Sequence, residues 1–320
     1  MSFEIRTNCP FCYGDIEHRF KGIADRLQTT SQTFAVDECV TCQAGMLNPA
    51  PAGDVSRFYP PHYLSGEGSE PTQSRRFDLE RWYRYNQYRY DFKLLEMATG
   101  TSIGSTASYV DLGCGSGERV TFAADQGCPR TVGVDKFDFA KSAAQRRADL
   151  VNSDLLDFAP DERFRTVSMF HVLEHLPDPV RILAHIKNRV LEPGGDLIVQ
   201  VPNYGSLEAR CFRGRWVGLD APRHYWHFNG EVLRRLLTEQ GYVVRAVYQR
   251  NAPLHPVTIV SSLFPSLDVQ RIWVNRSRGA AYLRRMMALW AALTVLSIPL
   301  CVLENLAGRA SMLTVVASAG

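Results

Sequence analysis

The run Tyr109-Val110-Asp111-Leu112-Gly113-Cys114-Gly115-Ser116-Gly117 is an apolar strand that breaks into alternating glycines. With no Cβ at 113, 115 and 117 the main chain can approach a small molecule closely, and a helix over Glu118 to Gln126 would offer it free N–H groups. Alone, such a loop is shared by dinucleotide-binding folds and by ordinary tight turns. Carboxylates narrow the choice. Asp111 lies near the end of an otherwise apolar strand, where an unpaired carboxylate is costly and needs a partner such as a ligand ammonium. Asp135 closes a second apolar run, Arg130 to Asp135, 18 residues after Gly117, near the roughly 20-residue spacing at which an acidic side chain meets ribose hydroxyls. A third run, Asp149 to Asp154, ends in Asp154-Leu155, a carboxylate for an exocyclic adenine amine beside an apolar wall for the ring. Taken singly, Asp135 or Asp154 also reads as a helix cap or a surface carboxylate.

Proton chemistry has two candidate sources. A strand ending Val167-Ser168-Met169-Phe170 delivers His171-Val172-Leu173-Glu174-His175 to the mouth of a cleft, with Glu174 and His175 placed to cap or orient the loop before Pro177-Asp178-Pro179. HxxEH is also the spelling of an inverted zinc-protease motif, but Pro177 and Pro179 stop the long helix that such a site needs. The second source is a long insertion, Gly205 to Phe228, which crowds aromatic, basic and acidic groups between Trp216 and Phe228. His224 is its candidate general base, Arg223 a holder for an anion, and Trp216 and Tyr225 candidate walls for a second substrate. The alternative reading is that His224 and His227 pack and hydrogen-bond to order the loop.

Cys9-Pro10-Phe11-Cys12 and Cys39-Val40-Thr41-Cys42 form two CxxC knuckles separated by 26 residues. Two tight turns of this kind present four thiolates tetrahedrally to one Zn2+, and four thiolates leave no open coordination position, so the site is structural. A short polar head cannot bury enough surface to fold alone, so the metal would supply much of its stability. Two disulfides or a redox pair are the competing readings. Cys114, Cys128, Cys211 and Cys301 have no ligand spacing.

The elements that must position these groups alternate. Strands are expected at Ser108 to Leu112, Thr131 to Asp135, Leu150 to Asp154, Thr166 to Leu173, Asp196 to Pro202 and Tyr242 to Tyr248. Helices are expected at Glu118 to Gln126, Phe139 to Arg147, Pro179 to Leu191 and Gly230 to Gln240. Such repetition predicts an α/β, doubly wound, parallel sheet with its ligand at the carboxyl ends of the strands. The chain divides into a zinc-ribbon head at 1–48, a Pro-rich linker or cover at 49–72 and a main domain at 73–320. That domain begins with a helix within Phe77 to Ala98 and carries insertions at 205–228 and 252–308.

The motifs VDLGCGSG, GVD, SDLLDF, HVLEHLPDP and LEPGGDLIVQVPN stand in order from Val110 to Asn203. In them the chain resembles the class I S-adenosylmethionine-dependent methyltransferases, specifically the bacterial group that carries a CxxC/CxxC zinc ribbon. The resemblance implies a Rossmann-like, mostly parallel seven-stranded sheet whose last strand, Met312 to Ser318, inserts antiparallel. It implies S-adenosylmethionine held by Asp111, Gly113, Gly115, Gly117, Asp135, Lys136, Asp154, Leu155 and His171, with His171 nearest the methyl group and a second candidate for catalysis. The head would help shape the acceptor site. An NAD(P)-dependent oxidoreductase fits less well, because Asp111 precedes the glycines and the last pair is spaced GxG rather than GxxG. A zinc-ribbon interaction protein that keeps the fold without activity is the non-enzymatic alternative.

With 45% hydrophobic and 22% charged residues over 320 positions, disorder is not expected, and a formal charge of +3 gives no case for nucleic acid. Met1 to Pro10 has no apolar core of a signal peptide, so a cytoplasmic protein is expected. Met286 to Leu303 is an uncharged run of 18 residues, at the lower edge for a membrane span. Pro299 and the return of Met312 to Ser318 to the sheet oppose spanning. Core packing over the cleft, a homodimer contact through 280–306, or peripheral contact with the inner membrane face through Arg276, Arg278, Arg284 and Arg285 are the readings left. The acceptor is accordingly expected to be a small or lipid-linked molecule.

Overall fold

The computed structural model describes residues 3–53, 55–60, 79–137, 148–252 and 256–320. The expected helix over Phe139 to Arg147 and most of the Pro-rich linker lie outside them.

Thirteen strands are present among the described residues. β1 (Phe3–Glu4), β2 (Ile16–Ala24), β3 (Thr33–Cys39), β4 (Gly45–Asn48) and β5 (Ala50–Pro51) belong to the head. β6 (Tyr109–Leu112), β7 (Thr131–Asp135), β8 (Asp149–Asn152), β9 (Phe164–Phe170), β10 (Leu191–Pro202), β12 (Tyr242–Tyr248) and β13 (Met312–Ala319) make the seven-stranded sheet. Its order is β12-β13-β10-β9-β6-β7-β8, parallel from β10 to β8, with β13 antiparallel to both its neighbours.

Side chains alternate across each strand, which sorts this sheet into two apolar layers. On one face Tyr109, Phe170, Ile198 and Val316 meet Tyr88, Phe92 and Leu95 of α1 (Leu79–Thr99) and Phe122 of α2 (Glu118–Asp125). On the other, Val110, Met169, Val199 and Val315 meet Ile182 and Leu183 of α3 (Pro179–His185). Val232, Leu233, Leu236 and Leu237 of α5 (Gly230–Glu239) complete that face, whereas Ala209 of α4 (Leu207–Phe212) packs with the head. Helix starts are set locally. Asp178, Ser206 and Asn229 accept hydrogen bonds from Arg181 N, Ala209 N and Val232 N, satisfying otherwise orphaned donors.

Two expectations change. The head does not end at residue 48, because β11 (Trp226–His227), from the 205–228 insertion, pairs with β4 and completes the sheet β11-β4-β3-β2. Trp216, Leu219 and Ala221 of the same insertion pack with Ile23, Phe34, Val36 and Leu47 of the head. Head and insertion therefore share one core.

The 252–308 insertion folds into α6 (Val257–Leu263), α7 (Val269–Val274), α8 (Ala280–Leu296) and α9 (Ile298–Leu306). α8 buries no residue, so it is not a core helix, and α9 buries Cys301 and Glu304. Among the described residues no single helix is long and apolar enough to cross a membrane; α8 and α9, bent by 42°, meet that test only as a pair.

Candidate active site

Gly113, Gly115 and Gly117 all adopt positive φ, at 76°, 52° and 73°, a region that a Cβ disfavours. A Cβ on Gly113 would lie 2.4 Å from Val172 Cγ2, whereas one on Gly115 would meet nothing within 4 Å. The first glycine thus permits close packing on the His171 loop, and the second borders open space. Gly115 N donates to Asp135 Oδ2 at 2.9 Å, and Phe137 N donates to Oδ1 at 3.0 Å. Burial raises the Asp135 carboxyl above its usual range, against those two N–H groups. Asp154 is exposed and accepts from Leu156 N at 3.0 Å, Leu155 beside it is buried, and Lys136 lies exposed over the Phe137 ring. Ser153 N donates to Asp135 O at 3.0 Å, so the second and third carboxylates stand on adjoining strand ends.

Asp111 finds its partner inside the protein. Ser168, opposite it on β9, donates to its Oδ1 at 2.5 Å. Burial pushes the Asp111 carboxyl up to about 6, opposed by Arg119 and that hydroxyl. Arg119 is itself paired with Asp91 at 2.6 Å and lies over the Phe170 ring at 3.6 Å. Gln200 donates to Asp91 at 3.0 Å. This polar chain fixes the floor beneath the glycine loop.

His171 follows at the end of β9 with a φ of 58° and a side chain 42% exposed. Its N–H donates to Gln200 O at 2.9 Å, which holds the left-handed turn that swings the ring out of the sheet. Leu173 to His175 form one short 3-10 turn.

The insertion carries a different role from the expected one. Arg223 is wholly buried; its guanidinium donates to Asp220 at 2.9 and 2.6 Å, to Asp25 at 2.8 Å and to Phe58 O at 3.0 Å. With every arm of its fork engaged it is not available to hold an acceptor anion. Burial works against the Asp220 charge, but Arg223 holds that carboxyl well below the usual range. Trp216 and Tyr225 are likewise buried, and the Tyr225 hydroxyl donates to Gly53 O at 2.9 Å. They line the joint between head and sheet rather than a cleft.

His224 is 7% exposed. Its Nδ1 donates to Gly218 O at 2.9 Å, and its ring meets His175 edge-on at 4.5 Å. Such packing orders the loop and gives a soluble acceptor little access. Burial drives the neighbouring His175 and His227 down to about 4 and about 3.

In the head, Cys9 Sγ lies 3.5 Å from Cys42 Sγ and Cys12 Sγ lies 3.4 Å from Cys39 Sγ. All four sulfurs fall within 4.8 Å of one another. Four thiolates bonded to zinc at roughly 2.3 Å stand at similar separations, whereas a disulfide needs roughly 2.05 Å. The donor set fits Zn2+.

A family model described as "Methyltransferase domain" matches residues 82–247, about half of the chain. The chain belongs to this methyltransferase family. A "Probable S-adenosylmethionine-dependent methyltransferase" of Mycolicibacterium smegmatis is 30% identical over 186 residues, covering 57% of this chain and 65% of that protein. A tRNA U34 carboxymethyltransferase of Glaesserella parasuis is 26% identical over 167 residues, covering 49% of this chain and 51% of its own length. The chain thus spans about half to two thirds of these relatives. The crystal structure of 1,6-didemethyltoxoflavin-N1-methyltransferase from Burkholderia thailandensis, with S-adenosylhomocysteine bound, aligns over 88% of this chain and 97% of its own with 15% identity and a TM-score of 0.47.

The sequence reading of this family member missed Arg119, Ser168, Asp91 and Gln200. Signals for three of them were present. Ser168 and Gln200 interrupt apolar strands at inward positions, and Arg119 stands in the first turn of a helix, where a cation opposes the dipole unless a buried carboxylate needs it.

Proposed function

We propose that this chain transfers a methyl group from S-adenosylmethionine to a small-molecule or lipid-linked acceptor, with Zn2+ holding the head. The observation that carries this reading is the Gly115 N to Asp135 Oδ2 bond. It sets the open face of the glycine loop against a carboxylate on the next strand, at the carboxyl edge of the sheet. Asp135 and Asp154 suit ribose hydroxyls and an adenine amine, Leu155 suits the ring, and the N-terminus of α2 faces the same loop. When bound, the sulfonium supplies an electrophilic methyl. The chain's part is to orient an acceptor beside His171, whose side chain is 42% exposed, and to take up the proton that an oxygen or nitrogen nucleophile gives up.

The lipid-linked arm draws support from α8 and α9. Leu289, Val295, Leu296, Leu300, Leu303 and Leu306 are exposed there, with Arg278, Arg284 and Arg285 exposed toward the start of α8. Apolar surface rimmed by arginines suits peripheral attachment to an anionic membrane face.

Titration calorimetry with S-adenosylhomocysteine and with NAD tests the donor: binding of NAD alone would overturn the reading. Labelled S-adenosylmethionine, incubated with the protein and separated lipid, soluble and RNA fractions of its host, tests the acceptor. Label confined to RNA would overturn a small or lipid-linked one. Flotation with anionic vesicles separates membrane attachment from a dimer detected by sedimentation.

A further inference from the structure

Beside the cleft, Glu174 is 1% exposed and neither of its carboxylate oxygens accepts a hydrogen bond. Its ionic partner is an imidazole, His171, whose Nδ1 lies 3.5 Å from Oε1. A buried carboxylate whose oxygens accept no hydrogen bond is among the costlier features a fold can carry.

Two imidazoles converge on it. One donor atom from each of Glu174, His175 and His224 lies within 4.8 Å of the other two. His224 Nδ1 faces Gly218 O at 2.9 Å, and a carbonyl only accepts, so that nitrogen carries the hydrogen and Nε2 keeps a lone pair. Placing the hydrogen of His175 on Nδ1 likewise serves Arg223 O at 3.2 Å and the Tyr59 oxygen at 3.0 Å. Rings anchored through Nδ1 to backbone carbonyls present Nε2 as metal ligands do, and His224 Nε2 lies 3.9 Å from Asp220 Oδ2. His227 adds a buried Nε2 without a hydrogen-bond partner.

We propose that Glu174, His175 and His224 form a second metal site, for a divalent first-row transition ion, separate from the four cysteines. One carboxylate and two imidazoles suit Zn2+, Mn2+, Fe2+ or Co2+, and three protein ligands leave positions open. Donors at roughly 2.1 Å from an ion stand at most about 4.2 Å apart, so small side-chain rotations close the present spacing. The open side is toward His171, whose Nδ1 is 3.5 Å from Glu174 Oε1 and whose ring is 42% exposed. There the ion would hold an oxygen-bearing acceptor; that role rests on the methyl-transfer reading, whereas binding of the ion does not.

The test is metal stoichiometry on the full chain, stripped with chelator and reloaded with Co2+. Wild type should take up two ions, one with intense thiolate-to-metal absorption and one with only weak ligand-field bands. Glu174→Gln and His224→Gln should each lose the second ion and keep the first. Retained S-adenosylhomocysteine affinity reports that the variants are folded. Should either variant fail to fold, the wild-type spectrum decides alone: a single thiolate-type ion at saturating Co2+ overturns the proposal. Two ions without S-adenosylhomocysteine binding would support the site and overturn the methyl-transfer reading.

Discussion

Replacing Arg223 with Met separates the role that its sequence neighbourhood suggests from the one its surroundings impose. The guanidinium is fully buried and makes four hydrogen bonds, two of them to Asp220 and one to Asp25. Met matches the apolar stem but leaves two carboxylates without their cation. Asp25 keeps bonds from Leu27 N, Thr29 N, Thr29 Oγ1 and Thr30 N, so most of the loss falls on Asp220. Removing one partner from a buried ion pair costs about 3–5 kcal/mol, which for a chain of this length corresponds to a fall in Tm of about 4–7 °C. Arg223→Lys restores the charge without the planar fork and should recover only part of the loss. Thermal and urea unfolding measure the effect, with S-adenosylhomocysteine affinity as a check on the folded fraction. Stability of Arg223→Met within about 1 kcal/mol of wild type, joined to a raised acceptor KM, would refute the structural role and return the residue to substrate binding.

Asp135→Ala should weaken S-adenosylhomocysteine binding about 10- to 100-fold by calorimetry, the worth of hydrogen bonds to a charged group, and Asp154→Ala should weaken it less because that carboxylate is exposed. Cys12→Ser should lower Tm and speed hydrogen exchange first along the β4–β11 pairing, and unchanged exchange there would argue against a structural metal. Glu208 and Glu304 form a buried pair, and burial, with each other's charge, lifts the Glu208 carboxyl above its usual range. A raised carboxyl stabilises the fold fully below its unfolded value and loses that contribution as pH rises. Wild-type stability should therefore fall above about pH 4.5, while Glu208→Gln should flatten the decline, read from Tm between about pH 5 and pH 8.

What the sequence determined is what local chemistry dictates. Glycines at 113, 115 and 117 allow positive φ and a close backbone approach, the alternation of apolar residues assigns strand faces, and two CxxC knuckles suit a tetrahedral ion wherever they lie. The doubly wound sheet was legible for the same reason, since each element announces itself within about ten residues, whereas its antiparallel last strand was implied only by the family resemblance. The fate of polar side chains was not legible, because burial depends on segments far apart in the chain. Arg223 reads as an anion holder until Asp25, almost two hundred residues earlier, closes on its other side. His224 reads either as a base or as a packed, hydrogen-bonded loop residue, and only the fold encloses it between Gly218 and His175. Asp111 was expected to await a ligand, and only pairing of β6 with β9 set Ser168 against it. The head itself was readable as a metal knuckle, but tertiary structure alone joined it to Trp226 and His227 and made the insertion part of its sheet.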